Sequence, residues 1–138
     1  MATKVVWKHG LSFTGKSESG FDIPIGTRVE NGGAGDGISP MELLLVGLAG
    51  CTGMDVISIL EKKRQEVTGF EVSVSAKRTE TQPRVYSDIA VEYVVTGRGI
   101  DPEAVKRAVE LSETKYCSVE AMLGKTAHIH STITIVEG

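Results

Sequence analysis

The sequence predicts an α+β fold, with elements in the order βββ-α-ββ-α-β and two strand groups set apart by one long helix. Three observations carry this. Short apolar stretches punctuated by glycine fill residues 3–25, a capped apolar run starts at Ser39, and two further alternating stretches precede a second amphipathic helix. The length of 138 residues suits a single domain, residues 1–138, large enough to bury a core.

In residues 3–25, Val5, Trp7, Leu11, Phe13, Phe21, Ile23 and Ile25 alternate loosely, and Gly10, Gly15 and Gly20 divide them into an antiparallel meander. Residues 26–38, GTRVENGGAGDGI, hold five glycines and no apolar period. A connector this long is usually functional or mobile. It is no phosphate cradle of the P-loop kind, because no GK[ST] follows. Ser39-Pro40-Met41-Glu42 has the residues of a helix start, with Ser as N-cap, Pro at N1 and Glu at N3, and the helix should run to about Gln65. Gly47, Gly50 and Gly53 each cost about 1 kcal/mol inside a helix, which predicts a close helix-to-helix contact around Cys51.

Phe70, Val72, Val74 and Ala76 alternate with polar residues, as do Ile89, Val91, Tyr93 and Val95. A turn near Pro83 makes them a second hairpin. Asp101-Pro102-Glu103 opens a second helix that places Val105, Ala108, Val109 and Ser112 on one stripe and ends near Tyr116. Ser118 is positioned to cap a short helix through Leu123, stopped by Gly124. In the last strand Ile129, Ile133 and Ile135 face one way and His128, His130, Thr132 and Thr134 the other.

With 15 Lys and Arg against 18 Asp and Glu, the formal charge of −3 offers no basic field for nucleic acid or an anionic membrane. The opening MATKVVWKHG lacks the apolar stretch of a signal peptide, and the expected location is the cytoplasm. The run Leu43 to Leu60 approaches the roughly 20 residues that span a bilayer. Thr52, Asp55, Ser58 and the glycines interrupt it, and Glu61, Lys62, Lys63 and Arg64 follow, which reads as a buried helix of a soluble protein.

Two cysteines are too few for a disulfide scaffold and leave core packing, metal or redox chemistry. Cys51 lies mid-helix with Gly47, Leu48, Met54 and Asp55 beside it, either as a small core residue or as a nucleophile. A charged Asp55 one turn away disfavours a thiolate there. Cys117 lies just before the short helix, whose free N–H groups favour a thiolate, so local electrostatics make it the better nucleophile; the alternative is a residue closing a turn. His128 and His130 have a spacing compatible with metal ligation, but no third ligand is evident nearby and no metal is expected. His9 reads as a surface residue.

The segments SPMELLLVGLAGC and KYCSVEAML, with the glycine-rich NGGAGDGISP before them, resemble the OsmC/Ohr family of osmotically inducible and organic hydroperoxide resistance proteins. The resemblance covers essentially the whole chain and looks closest to the YhfA-like branch. It implies an intertwined homodimer with a long central cysteine-bearing helix from each chain and curved antiparallel sheets wrapped around the pair. It further implies that Cys51 attacks an organic hydroperoxide, that Cys117 resolves the product as a disulfide, and that an external dithiol restores both thiols without a cofactor. This reverses the electrostatic preference for Cys117.

Lowering a thiol pKa by two units gains only about threefold in rate at neutral pH, so such a peroxidase also needs a donor for the departing alkoxide, commonly an Arg held by a carboxylate. Here no Arg precedes Arg28, and Met41, not a carboxylate, follows Pro40. Arg28 and Arg84 are the candidate donors, Glu42 the candidate carboxylate, and Leu48 and Met54 the apolar lining. The alternative is a noncatalytic protein of the same fold that binds a small apolar ligand or senses redox state.

Overall fold

Why the chain turns where it does is best seen from the ends of its elements. The structure is a computed structural model and describes residues 2–138. The described chain divides into two units, one ending at Leu44 and the other Leu45–Gly138.

In the first unit, β1 (Lys4–His9), β2 (Ser12–Lys16) and β3 (Asp22–Ile25) form the expected antiparallel meander in the order β1-β2-β3. Trp7 pairs with Phe13, and Phe13 with Ile25. The glycine-rich connector folds back along β3: Ile38 N donates to Pro24 O at 2.9 Å and Gly26 N to Ile38 O at 3.0 Å. Gly37 is needed for this approach, since a Cβ there would sit 2.7 Å from the Pro24 and Ile25 backbone. Asp36, also in the connector, accepts a 2.7 Å hydrogen bond from the buried Ser12 hydroxyl, which holds the Asp36 carboxyl below its ordinary range.

The helix α1 (Pro40–Lys62) starts as its sequence requires. Glu42 N donates to Ser39 Oγ at 3.2 Å, and Glu42 Oε1 accepts from Ser39 N at 3.4 Å and Ser39 Oγ at 2.9 Å, a closed capping box. It ends three residues before the expected Gln65. Arg64 adopts a left-handed φ of 56°, and Arg64 N and Gln65 N donate back to Glu61 O and Leu60 O, both at 3.0 Å. That is a Schellman closure, formed here with Arg where glycine is usual.

In the second unit α1 buries one narrow stripe, Leu48, Thr52, Val56 and Leu60, each one turn from the next. The stripe belongs to a core shared with the inward side of β5 (Tyr86–Arg98), namely Ile89, Val91, Tyr93 and Val95, and with Val105, Ala108 and Val109 of α2 (Pro102–Leu111). Asp101 caps α2 by accepting from Glu103 N at 3.0 Å, with Pro102 at the first position. The strand β4 (Glu66–Arg78) pairs antiparallel with β5 in the expected hairpin.

Three further details differ from the sequence-based expectation. The last strand, β6 (His128–Glu137), pairs parallel with β5, so the sheet β4-β5-β6 is mixed rather than wholly antiparallel. The chain between β5 and β6 is long enough to cross over through α2 and α3 (Ser118–Leu123), which a parallel neighbour demands. The second helix also stops at Leu111 and continues as a single π-helical turn, Ser112–Tyr116. After it, Cys117 and not Ser118 is the N-cap of α3.

Candidate functional site

The π turn and the extended backbone at Cys117 deliver that side chain back towards α1. Cys117 has φ −76° and ψ 102°, and its Sγ accepts from Glu120 N at 3.4 Å. Cys51, on α1, is half-buried, whereas Cys117 is only 4% exposed. Both are free thiols, and ligand atoms of Cys51, Asp55 and Cys117 all lie within 4.8 Å of one another. Residues far apart in the sequence thus form one cluster.

Burial pushes the Cys117 thiol up to about 12; its hydrogen bond to Cys51 and the charges of Cys51 and Glu120 add to this, and the Glu120 N–H opposes it. The local expectation that the helix end makes Cys117 the better nucleophile is therefore overturned. Desolvation outweighs one N–H donor on a helix of six residues. Cys117 stays a thiol at neutral pH.

Behind the cluster lies a row of hydroxyls that sequence reasoning missed. Ser112 Oγ donates to Asp55 Oδ2 at 2.9 Å, Ser112 Oγ lies 2.8 Å from Thr52 Oγ1, and Thr52 Oγ1 lies 2.7 Å from Tyr93 OH. Thr52, Ser112 and Tyr93 are wholly buried. Tyr93 OH reaches Glu113 Oε2 at 3.5 Å, and Ser131 Oγ donates to Glu113 Oε1 at 3.1 Å. Burial raises the Tyr93 hydroxyl far above its ordinary value. It also raises the Glu113 carboxyl against the hydrogen bonds from Ser131 and Tyr93. Glu120 is raised to about 7, first by burial and then by the Glu113 charge. The available signal was polar residues on core faces: Thr52 on the stripe of Leu48, Val56 and Leu60, and Ser112 on that of α2.

The other candidates each have their own local setting. Leu48 is wholly buried in the core, and Met54, three residues from Cys51, is 74% exposed. Arg84 is exposed in the turn between β4 and β5, where its Nε donates to Thr79 O at 3.1 Å. Arg28 is exposed in the glycine-rich connector of the first unit, and Glu42 is held by the capping box. His128 and His130 stack with centroids 5.7 Å apart on exposed positions of β6. Among the described residues, the group of three possible metal donors is instead Cys51, Asp55 and Cys117, one short of a closed structural zinc site. A cleft of about 370 Å³ opens beside Asp55, lined by Ser58, Ile59, Lys62, Leu111 and Tyr116.

A cysteine on a long capped helix facing a second at the N-cap of a short one is an arrangement that comparison with known proteins places. Residues 33–132 match the family described as OsmC-like protein. The chain belongs to the OsmC-like family. Protein YhfA of Escherichia coli strain K12 is 42% identical, over 99% of this chain and 98% of its own. A crystal structure of a hypothetical protein from Aquifex aeolicus is 33% identical with a TM-score of 0.87, covering 99% of this chain and 96% of that one. An organic hydroperoxide resistance protein from Elizabethkingia anophelis, 16% identical with a TM-score of 0.65 over 100% and 97% of the two chains, shares the fold. In this family the apolar α1 is the core helix of a soluble fold, and membership together with the close cysteine pair points to a redox-related function.

Proposed function

We propose that this OsmC-like protein is a cysteine-based peroxidase that reduces organic hydroperoxides through a Cys51–Cys117 thiol–disulfide cycle. One observation carries the reading: two free thiols from distant parts of the sequence share a cluster only 4.8 Å across, and the less buried of them is Cys51. The Cys51 thiolate attacks the terminal peroxide oxygen, the O–O bond breaks, and the alkoxide leaves and is protonated. The resulting sulfenic acid condenses with the Cys117 thiol, forming the S–S bond and releasing water. An external dithiol then returns both thiols by exchange. Cys117, held as a thiol, must give up its proton as it attacks, and that proton leaves with the sulfenic oxygen as water.

The apolar part of the cleft beside Asp55, formed by Ile59, Leu111 and Tyr116, favours an organic over an inorganic peroxide. The exposed side of α1 supports a homodimer. Leu44, Val46 and Met54 are 45%, 56% and 74% exposed, and Gly47 and Gly50 have open space within 4 Å of where a Cβ would stand. A cytoplasmic, reducing setting completes the proposal, because the cycle needs a supply of dithiol.

Intact mass after one equivalent of cumene hydroperoxide tests it. The reduced protein should lose about two mass units, Cys117→Ser should gain about sixteen, and Cys51→Ser should do neither. An unchanged wild-type mass overturns the reading. A redox sensor or noncatalytic binder is favoured by one observation, that the second unit's arginines in the described hydrogen bonds and ion pairs are engaged away from the cysteines. Arg78 and Arg84 bond the β4–β5 turn, Arg98 pairs with Glu66 at 3.7 Å and Arg107 with Glu110 at 3.9 Å. Sustained peroxide consumption with excess dithiothreitol separates the enzyme from the sensor.

A further inference from the structure

Cys51 and Asp55 stand one helical turn apart on the same face of α1, and the π turn brings Cys117 to them. Their ligand atoms, two sulfurs and a carboxylate oxygen, lie within 4.8 Å of one another. A tetrahedral zinc ion, bonded at about 2.3 Å to sulfur and about 2.0 Å to oxygen, holds its donors about 3.5–3.8 Å apart. Closing the three donors onto such an ion therefore changes their separations by about 1 Å at most. Asp55 has no part in the peroxide cycle proposed above, and its charge opposes a thiolate on Cys51. A bound cation reverses the sign of that effect. Among the described ion pairs, none neutralises Asp55.

We propose that Cys51, Asp55 and Cys117 form a binding site for one thiophilic divalent cation of the zinc class, with its fourth coordination position opening on the cleft beside Asp55. Two sulfurs select zinc over magnesium or calcium, which take oxygen donors. Three protein donors with one open position make an accessible site and not a closed structural one. The cleft of about 370 Å³ has room for a water as the fourth ligand. Two donors are already held from behind, as ligands of a metal site are. Ser112 Oγ donates to Asp55 Oδ2 at 2.9 Å, which leaves the carboxylate about three further lone-pair positions, and Glu120 N donates to Cys117 Sγ at 3.4 Å. Ser112 is itself wholly buried and 2.8 Å from Thr52, so the core sets the orientation of Asp55.

On binding, each thiol gives its proton to solvent, and the ion takes two thiolates and the carboxylate. The cluster then carries the same net charge as before. The ion uses the two sulfurs that the disulfide uses, so the two states exclude each other. Resting on the peroxidase reading, this makes zinc a reversible guard of the reduced pair. An organic hydroperoxide that oxidises the loaded site takes two electrons from the two thiolates. Its O–O bond breaks, the S–S bond forms, two protons from solvent complete the alcohol and water, and the zinc ion leaves with its charge unchanged.

Zinc binding to the reduced full chain, measured against a chromophoric chelator with no peroxide present, tests the site apart from the peroxidase reading. One equivalent per chain should bind. Cys51→Ser and Cys117→Ser should each weaken it by about a hundredfold or more and Ser112→Ala by about tenfold. His130→Ala, in the stacked pair on β6, should leave it unchanged. Cobalt in place of zinc reads the donors directly and needs no variant: the wild-type protein should show the sulfur-to-cobalt charge-transfer absorption of two thiolates. At saturation Cys117→Ser should halve that absorption. A wild-type protein without it, or zinc binding that His130→Ala removes and the cysteine changes do not, overturns the site. Bound zinc should also protect Cys51 from iodoacetamide; labelling as fast as in the metal-free protein overturns the exclusion, whether or not peroxide is consumed. Cumene hydroperoxide should release one zinc for each disulfide formed, and a disulfide formed with the zinc still bound would overturn the guard.

Discussion

Thr52→Val isolates what the buried hydroxyl is worth, because valine has nearly the same shape and differs by a methyl in place of the O–H. Thr52 is wholly buried and stands between Tyr93 OH at 2.7 Å and Ser112 Oγ at 2.8 Å. Replacing it breaks both contacts. Ser112 keeps its donation to Asp55, so its loss is only a donor to its lone pair, about 1 kcal/mol. Tyr93 loses its short partner inside the core and keeps only the 3.5 Å contact to Glu113, which costs about 1–3 kcal/mol. The extra buried methyl returns about 1 kcal/mol. The net expectation is a destabilisation of about 2 kcal/mol, or on the order of 6 °C in melting temperature for a chain of this size. Urea denaturation and thermal melts at one fixed protein concentration measure it. Thr52→Ser, which loses a methyl and keeps the hydroxyl, should cost about 1 kcal/mol and so be the milder change. If Thr52→Val proves as stable as the wild type, the hydroxyl row contributes nothing and its geometry has been misread.

Cys117, whose proton is held from 9.0 to about 12, should leave Cys51 as the thiol that iodoacetamide labels at neutral pH. Over the same window the unfolded chain loses a proton that the folded chain keeps, so unfolding free energy should fall as pH rises above 9.0, and Cys117→Ser should flatten that fall. Glu120, raised from 4.5 to about 7, adds a second window in which stability falls as pH rises, to be removed by Glu120→Gln and read from urea midpoints. Arg64→Gly, at the left-handed residue closing α1, should raise stability by about 1 kcal/mol in the same assay, because glycine takes that conformation without a Cβ penalty. Thr52→Val, Tyr93→Phe and Ser112→Ala combined should cost less than the sum of the three single changes, since removing all the partners together leaves no orphan; strict additivity in the melts would contradict a coupled row.

Local chemistry in the sequence reached the elements whose causes are local. The Ser39–Glu42 box, the meander around Gly10 and Gly20, and the two long alternating strands each depend on neighbours within a few residues, and each formed. The parallel pairing of β6 depends on which strand it meets after the crossover, and the alternation His128 to Thr134 is the same for either neighbour. The end of α2 was misplaced because residues 112–116 continue a helical pattern, and the change to a π turn shows in no single residue. Ser118 is the residue to which the sequence pattern points as the cap, because serine caps helices so often, whereas the cap is Cys117. The cysteine pair itself was legible only through the family resemblance. Read alone, Cys117 offered a helix N-terminus and no sign that it would be buried, and burial decided its chemistry.

Burial at this site does three things at once, and they are consistent with one another. It keeps the Cys117 proton in place, which in the proposed cycle leaves attack to the half-buried Cys51. It keeps the Cys117 sulfur out of water beside a half-buried Cys51, so that in the proposed cycle the thiol that traps a sulfenic acid is already in place. And it makes every polar group in the core costly unless paired, yet Thr52, Ser112 and Tyr93 are all there and all paired. A core selected for stability alone could hold valine, alanine and phenylalanine at those positions at little cost. Three hydroxyls in contact, on three different elements, hold α1, β5 and the π turn in register behind the cysteines and so fix where Asp55 and Cys117 stand, which apolar packing of the same shape would do without direction.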